Sequence, residues 1–140
     1  MKRADERFFQ KYFPPGVFAA RRRQLLEAVG PNAHVLLRGR TERHGPRFLQ
    51  SKLFFYFCGI EIPGAFLMIS APEQTTTLYL PHRDPERHPE ETGLGVEDAA
   101  AIKAATGVDE VCETALLATH LNALSTLFVP VSYTHLTLPT

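Results

Sequence analysis

FLQSKLFFYFCGIEIPGAFLMISAPEQTTTLYLPHRDPERH, residues Phe48–His88, decides the fold class. Two dense apolar stretches, Phe54–Phe57 and Phe66–Ile69, flank a turn punctuated by Gly59, Pro63 and Gly64. A third stretch, Thr77–Leu80, empties into the charged run His82–His88. All three are too uniformly apolar or aromatic to be strands with one wet face. They are expected to be central strands covered by helices on both sides.

On the N-terminal side, Met1–Tyr12 is polar with an aromatic patch, and Pro14–Pro15–Gly16 breaks the chain. Phe18, Leu25, Leu26 and Val29 then fall on one helical stripe, which Gly30–Pro31 ends. His34–Leu37 reads as a short strand and Arg38–Arg47 as a polar loop. On the C-terminal side, Gly93–Leu94–Gly95 leads into a helix over about Val96–Thr106. Its first turn holds Glu97 and Asp98, where the helix dipole favours negative charge. Asp109–Cys112 reads as another strand. Leu117, His120, Leu121 and Leu124 mark a last helix with Thr114 as its N-cap, and Leu127–Val129 would begin a further strand. Strands interleaved with helices give an α/β sandwich.

One hundred and forty residues with 44% hydrophobic content make a single domain with a proper core. Fifteen basic residues balance fifteen acidic ones, so no global field favours nucleic acid or an anionic membrane. Arg21–Arg23 is a local basic cluster, expected to be a solvated helix face. No run approaches the roughly 20 apolar residues of a membrane span, and MKRADERFFQ lacks the apolar centre of a signal peptide. Two cysteines, Cys58 and Cys112, are too few for a disulfide framework and suit buried reduced thiols in a cytoplasmic protein.

Candidate chemistry is sparse. His82, Asp84, Glu86, His88, Glu90 and Glu91 crowd into ten residues and could in principle ligate a divalent cation. Ligands must converge, however, and alternate residues of a loop stiffened by Pro85 and Pro89 need not. The run is read as a hydrated loop. Gly93–Leu94–Gly95 before a helix could cradle a phosphate, but it lacks a third glycine and a following Lys–Ser/Thr, so it is read as a turn. Cys58 has no electropositive neighbour in sequence and is expected to be a packed thiol. His120, on an apolar stripe, is expected at the core edge. No catalytic triad can be assembled from spacing.

Val131–Thr140, VSYTHLTLPT, can be back-translated codon for codon into the transposase-end adaptor used to build sequencing libraries. It is therefore read as an adaptor-derived artefact and set aside from fold reasoning. The natural sequence is expected to stop near Pro130, in mid-protein. The domain division is then 1–130 as one domain and 131–140 as artefact.

Five pieces of the chain, in order, resemble the N-terminal domain of aminopeptidase P and its creatinase and prolidase relatives. They are Phe18–Leu25 for the family's FxxRRxxL, Tyr56–Gly59 for YLTG, Ile62–Ala65 for EPxA, Leu78–Pro81 for TLFxP, and Arg83–Arg87 for the RDPExE loop. The resemblance implies a mixed β-sheet flanked by helices, of ribonuclease-H-like topology. It also implies that the chemistry lies in a C-terminal "pita-bread" catalytic domain absent from this chain. There two Asp, one His and two Glu would hold two manganese ions that serve cleavage of Xaa-Pro peptides. None of those ligand motifs occurs in Met1–Pro130, so no residue here is assigned as catalytic or metal-binding.

The implied roles of the N-terminal domain are to help form a homo-oligomer and to shape access to the active site. The loop residues Arg83, Glu86, His88 and Glu91 are the candidates for contact with substrate or a neighbouring subunit. Glu90–Gly93 departs from the family's ExWxG, because this chain has no tryptophan. Two alternatives stay open: a prolidase or creatinase relative, and a non-catalytic peptide- or protein-binding module of the same architecture.

Overall fold

The computed structural model describes residues 14–41, 50–82 and 95–124. Within them run four helices and four strands: α1 (Pro15–Val29), β1 (His34–Arg38), α2 (Lys52–Cys58), β2 (Phe66–Ser70), β3 (Thr75–Leu80), α3 (Ala99–Thr106), β4 (Glu110–Glu113) and α4 (Leu117–Asn122). Short 3-10 turns, Val96–Asp98 and Thr114–Leu116, lead into α3 and α4. The strands form one mixed sheet in the order β1-β2-β3-β4. The pairs β1/β2 and β2/β3 are antiparallel, and β3/β4 is parallel. This is the mixed sheet flanked by helices that the resemblance implied.

The sheet's two faces differ. Val35, Leu37, Leu67, Ile69, Leu78 and Leu80 alternate onto one face and join α1, α2 and α3 residues in the main core. On the other face Met68 and Tyr79 pack against Leu117 of α4, with Leu36, Phe66, Cys112, Leu121 and Leu124 around them.

The stretch Phe54–Phe57 is a helix, not the central strand its aromatic density suggested. The caps explain why. Ser51 Oγ accepts the Phe54 N–H at 3.1 Å, satisfying one of the orphan donors of the first turn. Gly59 closes the other end in the left-handed conformation, φ +69°, with its N–H on Phe55 C=O. Between these caps the buried residues are Leu53, Phe54, Phe57 and Cys58, one face at helical spacing. Local capping outweighed the β-propensity of the aromatics.

The expected strands at His34–Leu37, Phe66–Ile69, Thr77–Leu80 and Asp109–Cys112 all form, each with ends shifted by a residue or two. Thr114 does not cap α4. It opens the 3-10 turn instead, and its Oγ1 is buried without a hydrogen-bond partner among the described residues. The segments at Leu127–Val129 and Val131–Thr140 lie outside the described residues.

Candidate functional site

Three side chains meet just beyond the parallel β3/β4 pair. Leu80 opposite Glu113 is the last register pair of that ladder. Pro81 C=O then accepts the Val96 N–H at 3.0 Å, tying the chain after β3 to the 3-10 turn ahead of α3. His82 stands at this junction. Its Nδ1 lies 2.9 Å from Glu97 Oε2 and its Nε2 lies 2.9 Å from Glu113 Oε2. The ring is solvent-exposed, and its pKa is raised above the ordinary histidine value, first by the hydrogen bond to Glu97 and then by that to Glu113.

Of the sequence-predicted site residues, Arg83, Glu86, His88 and Glu91 lie outside the described residues, as do Asp84 and Glu90. His82 is the one member of the acid–histidine run that is described. Its two nitrogens face two separate carboxylates across the ring, so the three groups do not converge on a point. Among the described residues no group of three or more His, Cys, Asp or Glu could hold a metal ion. Gly93 and Leu94 of the Gly93–Leu94–Gly95 turn lie outside the described residues, and at its described end the backbone donors are engaged. The Gly95 N–H is taken by Asp98 Oδ2 at 3.0 Å, the Val96 N–H by Pro81 and the Asp98 N–H by Gly95 C=O.

Arg21–Arg23 is not a solvated face. Arg22 is 4% exposed, with Nη1 donating to Phe57 C=O at 2.8 Å and Nη2 donating to Thr106 C=O at 3.1 Å. It thereby caps the C-terminal ends of α2 and α3 together, where unpaired carbonyls and helix dipoles favour a cation. Burial holds its pKa below the ordinary arginine value. Arg21 donates to Tyr56 C=O at 2.9 Å and lies 4.1 Å from the Tyr56 ring centroid. The signal was available: position 22 is four residues after Phe18 and three before Leu25, inside the apolar stripe. Arg23 alone of the three is exposed.

The other reactive groups are structural. Cys58 is fully buried, and burial pushes its thiol up to about 12. His120 Nδ1 pairs with the Tyr79 hydroxyl, at the edge of the second core cluster as expected. A shallow cavity of about 210 Å³ opens at the far end of the sheet, bordered by Arg22, Arg23, Gln74, Thr76 and Asp109. Three of its polar side chains are engaged with backbone. Arg22 donates to two carbonyls, Asp109 Oδ2 accepts the Thr76 N–H at 2.7 Å, and Gln74 Nε2 donates to Ala71 C=O at 2.7 Å.

Comparison with known proteins places this geometry. The family model described as "Aminopeptidase P, N-terminal domain" matches residues 18–128. Among solved structures, Escherichia coli aminopeptidase P with the inhibitor Pro-Leu is similar at a TM-score of 0.66 and 18% identity, over 86% of this chain and 30% of that one. Icp55 from Saccharomyces cerevisiae is similar at a TM-score of 0.64 and 20% identity, over 79% of this chain and 28% of that one. The chain thus spans less than a third of the length of these structures, and at such identities the likeness is one of fold. No curated protein matches the chain.

Proposed function

We infer, from the fact that this chain belongs to the aminopeptidase P N-terminal domain family, that it is the non-catalytic front domain of a metal-dependent aminopeptidase. The whole protein would release the N-terminal residue from Xaa-Pro peptides. The front domain would contribute to oligomerisation and to access to the active site. The observation behind this reading is the family match over residues 18–128 in a chain that spans 30% of Escherichia coli aminopeptidase P. That relative was solved with a proline-containing dipeptide inhibitor, Pro-Leu. The bond before proline is a tertiary amide without an N–H, so a hydrolase for it must recognise the ring and the carbonyl instead of an amide hydrogen.

Two manganese ions are the cofactor this reading implies, and the described residues do not fit them, since no three or more His, Cys, Asp or Glu among them are placed to hold a metal ion. No catalytic step is therefore assigned to this chain. The cytoplasm is the proposed location. No described helix is long and apolar enough to cross a membrane, and both described cysteines are free.

A long read of the parent gene through the Pro130 codon tests the reading, followed by assay of the encoded protein with manganese on Xaa-Pro peptides. A continuing frame that supplies two Asp, one His and two Glu, with release of the N-terminal residue, is the expected result. A frame without those ligands, or a complete protein inert on such peptides, overturns it in favour of a binding module.

A further inference from the structure

The geometry points to a proton-operated latch in which doubly protonated His82 joins Glu97 to Glu113, binding the end of β3 to the head of α3 and to the end of β4. The ring's own chemistry requires the second proton. Both imidazole nitrogens lie 2.9 Å from a carboxylate oxygen. An ionised carboxylate only accepts hydrogen bonds, and a neutral imidazole has a single N–H. Both contacts are hydrogen bonds only when the ring is an imidazolium.

Among the described residues, the charged groups that face the ring come from the two elements packed against it. Glu97 projects from the 3-10 turn before α3 and Glu113 from β4. Asp98 accepts the Gly95 N–H, and Lys103 lies 3.9 Å from Glu110. The raised pKa of His82 agrees with two anionic partners and, among the described residues, no facing cation.

Loss of one proton leaves one carboxylate opposite a nitrogen lone pair, and that contact turns repulsive. The backbone bond from Val96 to Pro81 remains, so the junction loosens without coming apart. The sign is set by the raised folded-state value. The latch's contribution is complete below the ordinary histidine pKa of 6.5 and is lost as pH rises through the higher folded value.

Proton NMR titration of the complete chain tests this, with the His82 signal among the six histidines identified by its loss in His82→Gln. The expected result is a midpoint above 6.5 that falls in Glu97→Gln, falls in Glu113→Gln, and falls furthest in the double variant. Protection of the Val96 amide, corrected for intrinsic exchange, should drop through the same pH range in the parent and not in His82→Gln. A parent midpoint at or below the ordinary value, or one that both glutamine variants leave in place, overturns the latch. So does Val96 protection that changes with pH identically in parent and His82→Gln.

Discussion

Replacing Gly59 by alanine tests the junction of α1 and α2 more directly than any other single change. Two costs add at this position. The first is backbone: φ is +69°, where an L side chain costs about 1–2 kcal/mol. The second is a collision. A Cβ built on Gly59 would sit 2.5 Å from Cζ and 2.9 Å from Cε2 of Phe18. Phe18 is 1% exposed, so the ring cannot swing into solvent. Forcing an extra carbon into such a packed site costs about 1–3 kcal/mol.

Gly64 separates the two terms. Its φ is +77°, close to that of Gly59, yet a Cβ there meets nothing within 4 Å. Gly64→Ala should therefore cost the backbone term alone, and Gly59→Ala about 1–3 kcal/mol more. At roughly 4 °C per kcal/mol for a chain of this size, the melting temperatures should differ by about 4–12 °C, read by far-ultraviolet circular dichroism and confirmed by urea unfolding. Phe18→Leu removes the clashing ring atoms, so the double variant Phe18→Leu/Gly59→Ala should be more stable than the sum of the single changes implies. Equal costs for the two glycines, together with additivity in the double variant, would refute the role given to Phe18.

Four further outcomes rest on buried polar groups. Gln50 Oε1 accepts the Arg40 and Ser51 N–H groups, and its Nε2 donates to Ile60 C=O. Gln50→Ala should cost about 2–4 kcal/mol in urea unfolding, since it orphans three backbone groups. Gln50→Glu should fail to rescue at neutral pH, because a carboxylate oxygen would replace the donor to Ile60. Arg22→Lys keeps the charge but cannot span Phe57 C=O and Thr106 C=O with a planar fork, so it should lose about 1–3 kcal/mol by the same assay. With an aromatic disulfide reagent at pH 8, Cys112, which is half-buried, should react well before Cys58, whose thiol is fully buried and raised to about 12. Equal rates for the two thiols would contradict the burial of Cys58.

The strands of the sheet were legible because apolar runs bounded by Gly, Pro or charge have few other uses. Phe66–Ile69 and Thr77–Leu80 are such runs. Phe54–Phe57 obeyed the same composition rule and still formed a helix, because Ser51 and Gly59 cap it; those two residues were the signal to weigh against the aromatics. Burial of Arg22 was legible from its place on the apolar stripe, but its partners were not. Phe57 and Thr106 are 35 and 84 residues away and meet only in the tertiary fold. The same holds for His82. Nothing in the local sequence links it to Glu97 and Glu113, which are 15 and 31 residues on, until β3 and β4 pair in parallel.

The first two pieces of sequence that carried the resemblance turn out to touch each other. Phe18, Arg21 and Arg22 come from the first; Tyr56, Phe57 and Gly59 come from the second. Phe18 lies against Gly59, Arg21 reaches Tyr56 C=O, and Arg22 reaches Phe57 C=O. Three contacts between segments about 35 residues apart constitute a single helix–helix joint, in which a ring needs a glycine and two guanidinium groups need free C-terminal carbonyls. Gly39 and Gln50 make a second joint with the Ile60–Ala65 turn, through Gly39 N–H on Ala65 C=O and Gln50 on Ile60. These residue types are therefore explained by architecture without appeal to catalysis. A motif of that kind specifies the fold strongly and the reaction hardly at all. Within the described residues, any behaviour particular to this chain must be sought away from these joints, beginning at the His82 end of the sheet.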